Sequence, residues 1–462
     1  MKSSITLSAA TVSFFVRPAR PARLVLLVLL AGLLGAPSLR AQSIAWAKKT
    51  TNSAFRSAVA TDNAGNVYKT VAFTGSVTLG PYSFTSLGAN SSDIVLVKYN
   101  ASGDVQWARR IGGTGQEAAG DVAVSQSGGY VFVTGSFEST VQFGSYHGYN
   151  VSPLTSAGGS DVFVARYTAS TGTLDWSRKA GSTLDDNGYG LAVDGSDNVY
   201  VTGGFYGGIY FSTSVAAVPL ISNGLSDIFL AKYNVSGTLQ MARRLGGVGT
   251  DYGLAVGVDK FNGEIYLTGG YAPASSPYIV NVFVAKYSDA GTLSWNHVTG
   301  SSGTLDVGND LVVTASGAYV TGYFGNSINF GGNTLTSAGS SDAFVAHYSY
   351  NGGASASWAK RYGGPNWDEG QTLTEYIGNL YLGGTFIGTA TFGHNTVNAT
   401  GGAADQDLYV TQLFGDGTPV WTRRIGSSGY DYGRGGLAVR SLSGIYFSGH
   451  YGASMMLGNY AL

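Results

Sequence analysis

Runs of consecutive apolar residues, more than alternation, mark the strands of this chain. Ile94-Val-Leu-Val97, inside Asp93-Ile-Val-Leu-Val-Lys-Tyr99, is apolar at every position, the pattern of a strand buried on both faces. The segment recurs as Asp161-Val-Phe-Val-Ala-Arg-Tyr167, again from Asp227, Asn281 and Asp342, and more loosely from Asp407. An aromatic slot follows each copy: Trp107, Trp176, Trp295, Trp358 and Trp421, with Met241 in its place once and Trp46 as an orphan near the start. These seven slots lie 61, 69, 65, 54, 63 and 63 residues apart. A third element, Val199-Tyr-Val-Thr-Gly203, has relatives ending at Gly75, Gly135, Gly269, Gly322, Gly384 and Gly449.

Each unit offers four strands. In one copy they are expected at 190–194, 198–205, 227–233 and 238–245, joined by the short links Gly195-Ser-Asp-Asn198 and Asn234-Val-Ser-Gly237, which read as hairpin turns. A sheet that is apolar on both faces needs a neighbour on each. Radial stacking supplies this, and the expected fold is all-β: a seven-bladed β-propeller of four-stranded antiparallel blades. The recurrent Gly of the Val-Thr-Gly element is expected where backbones approach closely or a strand bulges.

The run Asp227-Ile-Phe-Leu-Ala-Lys-Tyr233 through Gly-Leu-Ala-Val256, followed by Gly263-Glu-Ile-Tyr-Leu-Thr-Gly-Gly270, resembles the bacterial seven-bladed β-propeller repeat known as SBBP. It is similar, more distantly, to NHL- and TolB-type propellers. The resemblance spans residues 43 to 462 nearly throughout. It implies a fold and an exported or surface location, but no reaction, because propellers host many functions. By analogy with these propellers, the Gly-Leu-Ala-Val strand is innermost and the Trp strand outermost. Residues 43–49, around Trp46, would then be the outer strand of the last blade, closing the ring by joining both chain ends and removing a free edge. That blade's inner strands are expected near 436–441 and 444–451. Its third strand is missing from the pattern. Three readings stay open: a truncated chain, a tail drafted into the gap, or an unfilled place.

Composition narrows the function. The chain of 462 residues has 70 Gly, no Cys and a net charge of −1 from 26 basic and 27 acidic side chains. Thiolate metal sites and disulfides are excluded, and so is the basic footprint of a nucleic-acid binder. Lys2, Arg17, Arg20 and Arg23 precede an apolar run from Leu24 to Ala36, and Ala41 follows Pro37. Residues 1–41 read as a signal peptide cleaved after Ala41, leaving one propeller over 42–462 with no membrane span and a monomeric state. The expected location is secreted or cell-surface.

The links from second to third strand, such as 137–160 and 205–226, are long and share a rim with the outer-to-inner links. Recognition is expected on this rim. The outer-to-inner links repeat an acid at Glu117, Asp186, Asp251, Asp306, Asp368 and Asp431. Six carboxylates there would attract a cation or basic ligand; in the plainer reading, each accepts backbone N–H groups and fixes a Gly-rich turn. Trp367 falls outside the Trp slot, beside Asp368, and is the candidate for an exposed aromatic contact, whereas the slot residues are expected in the blade packing. The pairs Arg109-Arg110, Arg243-Arg244 and Arg423-Arg424 are expected at solvated outer edges, and His347 as a substituted surface base. No HExxH, P-loop, GxSxG or EF-hand pattern occurs, and the rim residues look alike from copy to copy. The expected function is therefore a scaffold binding a protein or polysaccharide, without catalysis, cofactor or metal. A structural or adhesive module is the alternative, and a propeller hydrolase or lyase is third.

Overall fold

The computed structural model describes residues 53–88, 91–144, 153–211, 219–276, 279–301, 303–432, 436–441, 444–450, 456–457 and 460–461. The signal segment, Trp46 and the closing strand at 43–49 lie outside them. Every regular element among the described residues is a β-strand, so no helix there is long and apolar enough to cross a membrane. Six four-stranded antiparallel sheets follow one another along the chain. The first joins Ser53–Thr61, Val67–Thr74, Ser92–Tyr99 and Val105–Gly113, and the sixth joins Asp368–Tyr376, Asn379–Ile387, Gln406–Phe414 and Pro419–Ile425. A two-stranded sheet, Leu437–Ser441 with Gly444–Phe447, comes last. The tail pairs Met456–Leu457 with Tyr460–Ala461 as a hairpin of its own.

In the third sheet the strands run Asp186–Val193, Val199–Phe211, Leu220–Tyr233 and Leu239–Leu245. The inner strand thus begins four residues before the expected Gly190, because a bulge between Gly188 and Gly190 lets pairing resume. The same bulge recurs at Ala119/Asp121, Gly253/Ala255, Gly308/Asp310 and Gly370/Thr372. It explains the glycine of the second strand. A Cβ on Gly135, Gly203, Gly269, Gly322 or Gly384 would collide with an inner-strand carbonyl.

Burial follows the expected two-faced pattern. Ile94, Val95, Leu96 and Val97 are all inaccessible. The apolar clusters lie between consecutive sheets: Phe132, Val162 and Val164 of the second pack with Leu191, Val201 and Phe229 of the third. Ala255, Val282 and Val284 of the fourth pack likewise with Leu311, Val320 and Phe344 of the fifth. The long links also join sheets. Their apolar-Phe-Gly hairpins bury Phe143, Phe330 and Phe392, and the equivalent Phe211 is buried too. Two of them pair with the outer strand of the preceding sheet, Phe143 with Ile111 and Phe211 with Ala180. Much of these hairpins is therefore packing.

The Trp slot and the basic residues form a repeated joint. Trp107 Nε1 donates to Ala169 O at 3.1 Å and Trp176 Nε1 to Val235 O at 3.0 Å, both in the outer hairpin turn of the next sheet. The Nε of Arg109, Arg178 and Arg243 donates to Gly172 O, Gly237 O and Gly291 O at 2.7–2.8 Å. Arg109, Arg178 and Arg243 therefore clamp the neighbouring sheet; Arg109 and Arg110 are half-buried, which corrects the expectation of solvated edges there, whereas Arg243, Arg244, Arg423 and Arg424 keep the expected exposure. Gly172, Gly237 and Gly291 have φ of 66°, 73° and 75°, and each lies flat on Trp107, Trp176 or Met241 of the sheet before. His347 also departs from expectation. It is 8% exposed, stacked on Tyr319 at 4.3 Å, and burial lowers its pKa. Its slot faces the Trp across the ladder. Lys98 and Lys286 in sister slots are buried too, capping turn carbonyls of the next sheet.

Gly237→Ala would force a Cβ to within 2.7 Å of Trp176 at positive φ. It is expected to destabilise by about 2–4 kcal/mol, from backbone strain of about 1 kcal/mol and overpacking. Gly378→Ala, at φ 74° with nothing within 4 Å, should cost only the backbone part, about 1 kcal/mol. Urea midpoints of the two variants check the difference.

Candidate functional site

Five of the link acids begin, or immediately precede, the inner strands, and Asp431 lies six residues before Leu437–Ser441. All are buried: Glu117, Asp186, Asp251, Asp306, Asp368 and Asp431 are each at most 1% exposed. Each accepts a backbone N–H from its own link: Gly113 at 2.9 Å, Ser182 at 2.7 Å, Gly247 at 2.6 Å, Gly364 at 2.5 Å, Ser427 at 2.6 Å, and Ser301 for Asp306. Three reach a second strand end as well, through Ala272 N, Gly325 N and Ile387 N. One oxygen of each thus faces backbone, and the carboxyl groups are shut off from solvent.

Five of the six link acids, all but Asp306, also meet a buried acid of the third strand of the preceding sheet. Asp93, Asp161, Asp227, Asp342 and Asp407 are fully buried, and each pairs with the second base of the Trp strand: Arg110, Lys179, Arg244, Arg361 and Arg424. Between the two acids sits a glycine with no room for a side chain. A Cβ on Gly363 would touch Asp342 Oδ1 and lie 2.7 Å from Asp368 Oδ2. In the fourth sheet the strand acid is Asn281 and the base position is Val298, so both charges are absent together. Burial, reinforced by the strand acid, pushes Glu117 and Asp186 up to about 8 and Asp368 to about 7. Asp251 rises to about 6 and Asp306 also rises.

Two carboxylates that sequence repetition concealed lie on the inner strands themselves. Asp121 and Asp310 occupy the same post-bulge position in the second and fifth sheets, and Asp121 raises Asp310 electrostatically. Asp121 Oδ2 accepts Leu191 N at 3.0 Å and Asp310 Oδ2 accepts Leu373 N at 2.7 Å, both on the following sheet. Thr372 Oγ1 does the same for Leu437 N at 3.2 Å. Burial and Asp121 push Asp310 up to about 7. The available signal was a departure from the repeat: Asp121 and Asp310 stand where sister strands carry Gly190 and Ala255. Among the described residues no group of three or more His, Asp or Glu is placed to hold a metal ion.

The rim offers apolar groups to solvent among its hydroxyls and amides. Leu184, Val248, Leu305, Trp367, Tyr430 and Tyr432 are exposed on the outer-to-inner links and the inner-strand start that follows them. Leu305, Trp367 and Tyr430 each directly precede the acid, in three consecutive links. Trp367 is 37% exposed. It rests on Tyr323 at 5.4 Å and its Nε1 donates to Glu369 Oε1 at 2.6 Å. Tyr430 and Tyr432 stack at 6.2 Å with 22° between their planes.

The SBBP family model, described as a β-propeller repeat, matches residues 175–203. An uncharacterised WD repeat-containing protein of Acanthamoeba polyphaga mimivirus is 24% identical over 38% of this chain and 16% of its own length. The regulatory protein FlaEY of Caulobacter vibrioides is 28% identical over 73% of this chain and 37% of its own. The chain thus spans about a sixth and a little over a third of these relatives. Among solved structures, the β-propeller domain of the Trilobed protease from Pyrococcus furiosus aligns with TM-score 0.38 and 9% identity, over 85% of this chain and 89% of that one.

The raised acids give a pH dependence with a definite sign. Their folded-state pKa values lie above the ordinary value, so the folded chain holds their protons more tightly than the unfolded chain. Their contribution to stability is full below about pH 4 and is lost as pH rises through the folded values, up to about 8. The melting temperature should therefore fall between pH 5 and pH 8.5. Asp186→Asn, which keeps an acceptor for Ser182 N, should flatten that fall. Thermal unfolding across the series checks both.

Proposed function

We propose that this chain, whose residues 175–203 match the SBBP β-propeller repeat, is an exported scaffold of seven blades closed into a ring, binding a protein or polysaccharide through its long-link rim without catalysis. The observation that carries the binding reading is the distribution of exposed apolar groups. Leu87, Leu184, Tyr206, Tyr210, Ile221 and Val248 are exposed on this rim, with the Trp367 and Tyr430 group beside them. Phe261, Ile377 and Phe414 are exposed singly on turns of the opposite rim, whereas Tyr206, Tyr210 and Ile221 share one long link; such grouped apolar surface on a rigid scaffold marks an interaction face. The link acids are spent on turns and joints, which supports recognition by the side chains around them rather than chemistry by the acids.

Support for a closed ring comes from contacts between the first and last sheets. Ser57 Oγ lies 2.5 Å from Ser448 Oγ, and Tyr446 packs against the cluster of Val67, Val95 and Val97. Trp421 Nε1 turns to Gln412 Oε1 of its own sheet, unlike Trp107 and Trp176. In our reading, Trp46 and its strand complete that last blade. Export rests on the basic and apolar pattern of residues 1–41.

Two measurements test these readings. Because the chain has no Cys, Ser57→Cys with Ser448→Cys isolates one bridge. In a closed ring it forms spontaneously and stabilises by about 2–4 kcal/mol; failure to form under oxidation counts against closure. For binding, Leu184→Lys with Val248→Lys should lower affinity for immobilised extracellular proteins or glycans by at least about tenfold. Phe261→Lys with Ile377→Lys, exposed on the opposite rim, should leave it unchanged. Equal loss from both rims would refute the rim assignment.

A further inference from the structure

The chemistry of the rim narrows its ligand, and this inference rests on the binding reading above. The second-to-third links cover 75–91, 138–160, 206–226, 272–280, 325–341 and 388–405, and the outer-to-inner links cover 114–116, 182–185, 247–250, 301–305, 364–367 and 427–430. Together they contain no Lys and no Arg, and only three acids, Glu138, Asp185 and Asp405. The bases of the described sheets sit elsewhere, clamping turns or paired with the buried strand acids. Ser, Thr, Asn and Gly make up most of these links, so the rim presents hydroxyls, amides and backbone groups around its exposed rings.

This surface is mismatched to a polyanion, which needs bases, and to a charged protein face, which needs complementary charge. It matches a ligand that is uncharged, rich in hydroxyls and flat on its C–H faces. Aromatic rings stack on such faces, while hydroxyls and amides exchange hydrogen bonds around them. Trp367 is prepared for that role. Tyr323 supports its ring, and Glu369, itself accepting from Gln371 Nε2 at 3.0 Å, fixes the indole edge. Tyr430 and Tyr432 present a second aromatic pair on the next link, and Leu305 extends the apolar arc on the link before. Held by Tyr323 and Glu369, and by the stacking of Tyr430 on Tyr432, these rings lose little conformational freedom on binding.

We propose that the Leu305–Trp367–Tyr430–Tyr432 arc is a binding site for a neutral polysaccharide, which stacks its sugar faces on Trp367 and the tyrosine pair. The test uses the full chain in pull-down and affinity electrophoresis with microcrystalline cellulose, chitin and starch, and with alginate and heparin as polyanions. Retention on at least one neutral polymer is expected, and it should survive 1 M salt because no ion pair forms. Trp367→Ala, and separately Tyr430→Ala with Tyr432→Ala, should each weaken it by about tenfold or more while the melting temperature stays near that of the parent. Two different links carry these variants, so misfolding of one leaves the other as a test. No retention on any neutral polymer, binding only to polyanions, or unchanged affinity in both variants would overturn the proposal. If the Leu184 and Val248 variants still abolish capture of an immobilised protein in that case, the rim reading stands and only the ligand class falls.

Discussion

A four-stranded sheet with apolar side chains on both faces has no stable place in water unless both faces are covered. The third strands impose that condition here: Ile94 to Val97 are inaccessible throughout, and their counterparts in the following sheets are buried as deeply. Leaving either face wet would expose several large side chains per sheet, each worth about 1.5–3 kcal/mol of burial. Each of these sheets is therefore committed to packing on its neighbours along the chain. The joints then determine which neighbour and at what spacing. A Trp or Met on one outer strand lies under a left-handed glycine of the next turn, and an arginine beside it holds that turn's carbonyl.

The polar part of each joint follows a stricter rule. A buried carboxylate needs a base and donors, and two together raise each other's pKa. The chain meets this with Arg110, Lys179, Arg244, Arg361 and Arg424, and with backbone donors from glycine-rich links. The fourth sheet shows that the set behaves as a unit. Asn281 and Val298 replace acid and base together, since either one alone would leave an uncompensated buried charge. The repeated acids are thereby accounted for by architecture, and attention moves to residues that break the repeat. Trp367, Asp121 and Asp310 are of that kind.

On the rim, the described links carry no base and few acids, and their exposed groups are mostly rings and aliphatic side chains among hydroxyls. Scaffold and surface thus divide the sequence between them. Repetition serves the joints, and departures from repetition give the face its chemistry.

Much of the architecture was legible without coordinates because its causes are local and periodic. The apolar runs, the Trp spacing and the turn glycines each reflect a short-range requirement, and the strands formed where they indicated. The strand that starts at Asp186 began earlier than expected, since a bulge is a pairing event between strands and leaves only a faint mark in either. The roles of the arginines, of His347 and of the link acids were decided by tertiary structure alone. A charged residue reads the same whether it meets water or a carbonyl some sixty residues away, as Arg109 meets Gly172. Sequence by itself determined that these segments are strands needing cover on both faces. Only the packing of one sheet on the next decided which polar groups are buried and which aromatic rings remain outside, because burial depends on neighbours distant in the chain.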